Sequence, residues 1–334
     1  MVSNAAKITE VTLRGGEKMP TVGLGLWKMP TKECANAVYS SIKAGYRLLD
    51  SAADYGNEKE SGEGIKKALD EKICERKDLF VVSKLWNTFH KPENVKLACQ
   101  RSLADLGVDY LDLYLIHFPI AQKFVPFDQS YPPEWVNMNT EDGVPAMVLD
   151  TTVTYQQTWE AMEKLVDEGL VKNIGFCNIG TLMIQQVMNF SRIKPAVLQV
   201  EMHPLLTQQK LLRFAQVNGL QTMAFSCLAS ASYVEIGMAK TEDSLMDVEI
   251  TKTLAEKYKK TPAQVLLRWG VQRGTTVIPK SVKPERQIEN INLFDFEISE
   301  EDMKSIDGLD KNKRFNDPGV FCELAFGKFS PIYE

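Results

Sequence analysis

Strand-length runs of Val, Leu, Ile and Phe alternate along this chain with stretches whose apolar positions recur at helical spacing. The runs at 21–26, 46–50, 79–84, 111–117, 171–176, 196–201, 220–225 and 275–279 predict strands. Helical periodicity follows each of them, from about residue 31 and then over 57–70, 92–106, 155–168, 181–189, 208–217, 247–258 and 284–290. Ahead of this series, residues 11–13 and 18–20 flank Arg14-Gly15-Gly16-Glu17, the pattern of a β-hairpin whose turn uses glycine to reach positive φ.

Eight alternating strand-helix units predict a parallel sheet, and strands that are apolar throughout fit a closed (β/α)8 barrel better than an open doubly wound sheet. No glycine-rich GxGxxG turn follows an early strand. The nearest candidate, within residues 56–64, falls inside a helical pattern, so a dinucleotide-binding Rossmann domain is disfavoured. The expectation is one barrel domain spanning residues 1–334. Three long excursions would lie over its C-terminal face: 118–154, 229–246 and the tail after Asp310. The first carries Phe124, Phe127, Tyr131, Pro132, Pro133 and Trp135, which suits an ordered functional loop.

Composition narrows the function classes. Apolar residues make up 44% of the chain and charged residues 25%, enough for a large core and unlike a disordered sequence. A net charge of −5 offers no global attraction to nucleic acid or anionic lipid. No apolar run approaches the ~20 residues of a membrane helix, and residues 1–7 lack a signal-peptide core, so a cytoplasmic protein is expected. Six scattered cysteines without CxxC spacing and only three histidines argue against disulfides and against a metal site.

In such barrels the chemistry sits where strands end. The predicted strands end in polar groups: Asp50 with Tyr55 just beyond it, Lys84, His117, Asn178, Gln199 with Glu201, and Lys280. Apolar strands that each finish in a charge or amide would leave them unpaired unless they meet. Tyrosine is a poor acid at its ordinary pKa of ~10, and a neighbouring ammonium lowers that value. Lys84 would supply the ammonium, Asp50 would hold it, and a neutral His117 would orient a carbonyl oxygen. Lys84 also admits two other readings, a plain surface lysine or a Schiff-base nucleophile. Elsewhere, Asp54 and Glu58 read as a solvated turn and helix cap, His90 as a surface residue, His203 as structural and Trp269 as core. Cys177 reads as inert packing, and residues 300–304 as a charged helix face.

The segments Asp50-Ser-Ala-Ala-Asp-Tyr55-Gly-Asn-Glu, Lys84-Leu-Trp-Asn, Leu-Tyr-Leu-Ile-His117-Phe-Pro and Ile-Pro-Lys280-Ser, in this order, resemble the signatures of the aldo-keto reductases. The resemblance covers nearly the whole chain. GYRLLDSAADYGNEKE, LFVVSKLWN, LIHFPIAQKFVP, KPAVLQVE and RFNDP are similar to xylose and aldose reductase segments. LDTTVT and the EKYKKTPAQVLLRWGVQR helix look equally like plant aldose-6-phosphate reductases.

The resemblance implies a catalytic tetrad of Asp50, Tyr55, Lys84 and His117, with hydride from NADPH and a proton from Tyr55. NADH would be the weaker alternative. It implies that Cys177, Asn178 and Gln199 face the nicotinamide carboxamide, that Phe225 stacks on the ring, and that Ser226 and Leu228 pass the pyrophosphate. Lys280, Ser281 and Arg286, at a helix start, would hold the 2′-phosphate, with Glu289 and Asn290 near the adenine. Trp27, Trp86, His117, Phe118, Trp135 and Asn316 would form the substrate wall. Three departures stand out: Cys177 where serine is usual, Phe225 where tyrosine is usual, and Leu228-Ala229-Ser230 in place of a glycine turn, which would send that loop along another path. The partner expected is a small aldehyde or aldose, acted on by a monomer or weak homodimer. Alternatives are a sugar-phosphate reductase and a non-catalytic NADP-binding regulator.

Overall fold

Residues 9–136, 148–323 and 331–333 are described by a computed structural model. A hairpin of β1 (Glu10–Thr12) and β2 (Lys18–Pro20) comes first, its turn closed by Gly16 at φ 99°. Eight parallel strands follow: β3 (Leu24–Gly25), β4 (Leu48–Asp50), β5 (Phe80–Leu85), β6 (Leu111–Ile116), β7 (Val171–Cys177), β8 (Val197–Glu201), β9 (Gln221–Phe225) and β10 (Thr275–Val277). They pair in sequence order. The last closes on the first through Gly23 N to Val277 O at 2.9 Å and Val277 N to Thr21 O at 3.0 Å, with Val22 bridged to Val277. The barrel expectation is met.

The helices are α1 (Thr31–Ala44), α2 (Glu58–Asp70), α3 (Pro92–Leu106), α4 (Tyr155–Asp167), α5 (Thr181–Phe190), α6 (Gln209–Val217), α7 (Ala231–Val234), α8 (Glu249–Tyr258), α9 (Pro262–Gln272), α10 (Pro284–Ile291), α11 (Glu300–Asp307) and α12 (Pro318–Phe321). Each strand sends alternate side chains to opposite faces. Phe80, Val82, Leu113, Leu115, Val197 and Met223 fill the barrel interior, which Leu13 and Met19 of the hairpin region close from below. Val81, Leu85, Tyr114, Ile116, Leu198 and Val200 face the helices instead.

The expected EKYKKTPAQVLLRWGVQR helix is two helices. Lys259 turns into the left-handed region at φ 53°, Thr261 caps the next helix by accepting from Gln264 N, and Pro262 starts it. It is α9, carrying the fully buried Trp269, that packs against β10. Gly62 and Gly64 of α2 have a packing reason. A Cβ on Gly62 would meet Asp105 O and Leu106 O at 2.7 Å, and one on Gly64 would meet Ala35 O at 2.5 Å, so α2 lies close against both α3 and α1.

Over the C-terminal face, the loop after β6 is tied down by Lys123 N to Val148 O and Asp150 N to Ala121 O, with Phe124 and Phe127 against Phe89 and Arg101 over Tyr131. Its residues 137–147, like the first eight residues of the chain, fall outside the described set.

Candidate active site

Because β5 alternates, Lys84 continues the inward series begun by Phe80 and Val82, and its side chain is fully buried at the barrel mouth. Its three N–H groups are all committed. They reach Asp50 Oδ2 at 2.8 Å, Ser51 O at 2.8 Å and the Tyr55 hydroxyl oxygen at 3.0 Å. The second oxygen of Asp50 accepts from Gln199 Nε2 at 2.7 Å, so this carboxylate at the end of β4 is satisfied on both sides. A short helical turn at Ala53–Tyr55, closed by Gly56 at φ 68°, brings Tyr55 back over Lys84. Such saturation leaves Lys84 no free N–H for a substrate, which disfavours the surface-lysine and Schiff-base readings.

Burial pushes the Tyr55 phenol well above its ordinary pKa, and the Asp50 and Asp54 charges push in the same direction. This corrects the expectation that Lys84 lowers it outright: desolvation of a phenolate outweighs one neighbouring ammonium. The phenol keeps its proton across neutral pH. Since Lys84 can only donate, the Tyr55 oxygen accepts from it, and the phenol O–H is left to donate elsewhere.

His117 sits at the end of β6, edge-on to Tyr55 and to Trp86. Its Nδ1 lies 3.1 Å from Asp54 Oδ1, out of line for a hydrogen bond. Asp54 is therefore not a solvated turn residue: its side chain is 14% exposed and borders the catalytic cavity. That cavity, of about 630 Å³, is lined by Asp50, Tyr55, His117, Trp27, Trp86, Phe118, Trp135 and Asn316, together with Asn178, Gln199, Phe225, Ser226, Leu228 and Lys280. Asn316 Oδ1 is buried there without a partner. Phe321, against Trp135, and Tyr233, against Trp27, complete its sides.

The residues expected around a nicotinamide nucleotide divide into two groups. Asn178, Gln199, Phe225, Ser226, Leu228 and Lys280 line the cavity, while Ser281 just before α10 and Arg286, Glu289 and Asn290 on it lie outside that lining, Glu289 accepting from the Thr261 hydroxyl at 2.7 Å. Lys280 and Arg286 are exposed and have no salt bridge among the described residues. Cys177 does not line the cavity. It is fully buried in the barrel interior, where burial pushes its thiol up, as an inert group requires. Asn178 already donates from Nδ2 to His117 O at 2.9 Å and accepts at Oδ1 from the Tyr333 hydroxyl at 2.8 Å. The Leu228-Ala229-Ser230 loop turns without glycine, Ala229 taking φ 62°, a conformation that costs an alanine roughly 1 kcal/mol or more.

Other readings need correction. Glu58 is buried against β5, accepting from Ser83 Oγ at 2.6 Å and Ser102 Oγ at 2.9 Å. Burial pushes its carboxyl up to about 7, those two hydroxyls working against the rise. His90 is buried, not on the surface, and burial holds it down to about 3. Polar residues in a loop or first helical turn suggest solvent exposure, but Glu58 and His90 are both buried here. Within 300–304, Asp302 faces inward and accepts from Lys257 at 2.6 Å. His203 is structural, as expected, bonded through Nε2 to Glu201 at 2.9 Å. Tyr233, Phe321 and Tyr333 were missed. Their aromatic character was the available signal, but nothing local ties the tail to the strand ends.

Residues 20–311 match the Aldo/keto reductase family. The chain is 49% identical, over 92% of its length and 96% of the relative's, to an NADPH-dependent D-xylose reductase of Meyerozyma guilliermondii. It is 47% identical to an NADPH-dependent aldose reductase of Saccharomyces cerevisiae, over 96% of this chain and 99% of that one. Among solved structures, an aldose reductase from Schistosoma japonicum superposes with a TM-score of 0.82 at 38% identity, covering 96% of both chains. An aldo-keto reductase of Bombyx mori in complex with NADP gives 0.83 at 33% identity, covering 98% of this chain and all of the other. The chain belongs to the Aldo/keto reductase family and is an oxidoreductase of that family.

Proposed function

We propose that the protein reduces the aldehyde carbon of open-chain aldoses with NADPH, Tyr55 giving the proton. The observation that carries this reading is the Lys84 ammonium, held by Asp50 and Ser51 O and directed at the Tyr55 oxygen on the floor of the cavity. NADPH, when bound, supplies the hydride. The donor set suits it: Phe225 offers an aromatic face, Gln199 and Asn178 border the same space, and the exposed Lys280 and Arg286 suit a phosphate.

The proton step follows from the chain's own groups. As negative charge grows on the carbonyl oxygen, the phenol proton of Tyr55 moves to it, and the phenolate left behind rests 3.0 Å from the Lys84 ammonium. That fixed cation makes proton release cheaper in the transition state than in the resting site. His117, with Nδ1 toward Asp54, presents its other ring nitrogen to the same carbonyl oxygen. Trp27, Trp86, Phe118 and Trp135 exclude water from the reacting carbon.

Two features favour a neutral sugar. The relatives named above are D-xylose and aldose reductases. The buried, unpartnered Asn316 Oδ1 is an acceptor waiting for a hydroxyl donor, whereas Lys280, at the nucleotide end, is the one Lys or Arg among the described lining residues. NADPH consumption with D-xylose and with mannose 6-phosphate tests the reading. A higher kcat/KM for D-xylose supports it, and preference for the phosphorylated sugar overturns it.

A further inference from the structure

Asn316 stands on the C-terminal segment, far in sequence from the strands that carry the catalytic groups, so something must set its place over the cavity. Most attachments of that segment are generic. Lys311 N and Lys313 N both donate to Leu205 O, at 3.1 and 2.9 Å, and the Thr207 hydroxyl bonds to Asp310. At Asn316 itself the attachment changes character. Glu201, at the end of β8 and fully buried, accepts from Phe315 N at 2.9 Å through Oε1 and from Asn316 N at 2.8 Å through Oε2. Its Oε1 also accepts from His203 Nε2 at 2.9 Å, so one carboxylate gathers two consecutive backbone amides and an imidazole. Since a carboxylate only accepts, His203 carries its proton on Nε2.

This geometry is specific. Two amides on the two oxygens of one carboxylate form a fork that fixes the backbone at Phe315 and Asn316, the base from which the Asn316 side chain reaches the cavity wall and the Tyr233 hydroxyl. The Phe315 ring is then held between His203 and Tyr233, with centroids 5.4 Å from each. The Tyr233 hydroxyl in turn meets Ser226 Oγ at 2.7 Å, next to the nucleotide loop.

We infer that Glu201 is a positioning residue for sugar selectivity: by forking the Phe315 and Asn316 amides it aims the open Asn316 acceptor at a substrate hydroxyl. Glu201 touches neither the reacting carbon nor Tyr55, and it acts only through Asn316. The inference rests on the aldose reading given above.

The test is a double-substitution cycle on the full-length enzyme, using Glu201→Gln, Asn316→Ala and the pair, assayed with NADPH against D-xylose and against propanal, which has no hydroxyl to read. Glutamine keeps the size of the side chain but sets an N–H against a backbone N–H. For Glu201→Gln the expected result is a rise of about tenfold in KM for D-xylose with kcat nearly held, and propanal turnover within about twofold of the parent. In the Asn316→Ala background, Glu201→Gln should add little. Equal losses for both aldehydes, additive losses in the pair, or no loss at all would each overturn the role. Glu201→Asp, which keeps the charge and shortens the reach, is the second variant and should behave like Glu201→Gln. Failure of both to fold would assign Glu201 to folding and overturn the role as well. Absence of D-xylose turnover in the parent enzyme, with propanal still reduced, would instead contradict the aldose reading.

Discussion

Neighbouring residues of β5 point into two buried polar clusters of opposite character. On the inner face Lys84 meets Asp50 and Tyr55, an ammonium matched to a carboxylate and directed at a phenol. On the outer face Ser83 meets Glu58, which has two serine hydroxyls and no cation. Both carboxylates are buried; burial pushes Glu58 up to about 7, and its two hydroxyl donors, which bring no charge, pull against that rise without cancelling it. Closely placed elements, sharing one strand, thus build a charged site for chemistry and a nearly neutral link between the sheet and helices α2 and α3. A buried carboxylate is therefore not in itself a sign of function; its partner decides.

The largest expected effect lies on the inner face. Lys84→Met removes the cation that receives the phenolate, and kcat with D-xylose should fall by roughly 10³, about 4 kcal/mol of transition-state stabilisation. NADPH binding, followed by protein fluorescence, should hardly change. A loss below tenfold would erase the contrast between the two faces.

Glu58→Gln probes the outer face and should leave kcat alone. The folded state binds the Glu58 proton up to about pH 7, against 4.5 for an ordinary carboxyl, so it holds more protons than the unfolded chain between those values. Stability of the parent should accordingly fall as pH rises through that window, by up to about 3 kcal/mol from this group. Urea unfolding at pH 5 and pH 8 should show a smaller difference in the variant. An unchanged difference would mean that Glu58 does not titrate there.

The smallest effect belongs to an exposed cation. Arg286→Ala should weaken NADPH by about tenfold while leaving NADH nearly unaffected, and the loss should shrink in high salt, because water screens a surface charge as it cannot screen Lys84. Matched losses for both nucleotides would remove Arg286 from the 2′-phosphate.

Much of this was readable in advance, and the reason is local. Strand periodicity fixes which side of β5 Lys84 faces, and strand ends at a barrel mouth converge whatever the loops do. Asp50, Lys84 and His117 fall under that rule, Tyr55 needs the turn at Ala53–Tyr55 besides, and their selection from the other polar strand ends came from the resemblance. Glu58 and His90 did not, because their burial depends on α2 and on the loop after β6 closing over them. Tyr333 and the fork at Glu201 were hidden for a further reason: they join a tail to strand ends more than a hundred residues earlier, and no periodicity records such a contact. The break between α8 and α9 was written in the sequence as Thr261-Pro262, and the apolar pattern running through it obscured the stop.

The central claim is that the proton comes from Tyr55, and the pH dependence of kcat/KM for D-xylose tests it most directly. The acid must carry its proton to act, and burial pushes the Tyr55 phenol upward. The account predicts a level profile across neutral pH that falls only in the alkaline range. A fall centred near ~6.5, the ordinary imidazole value, would contradict it and make His117 the acid.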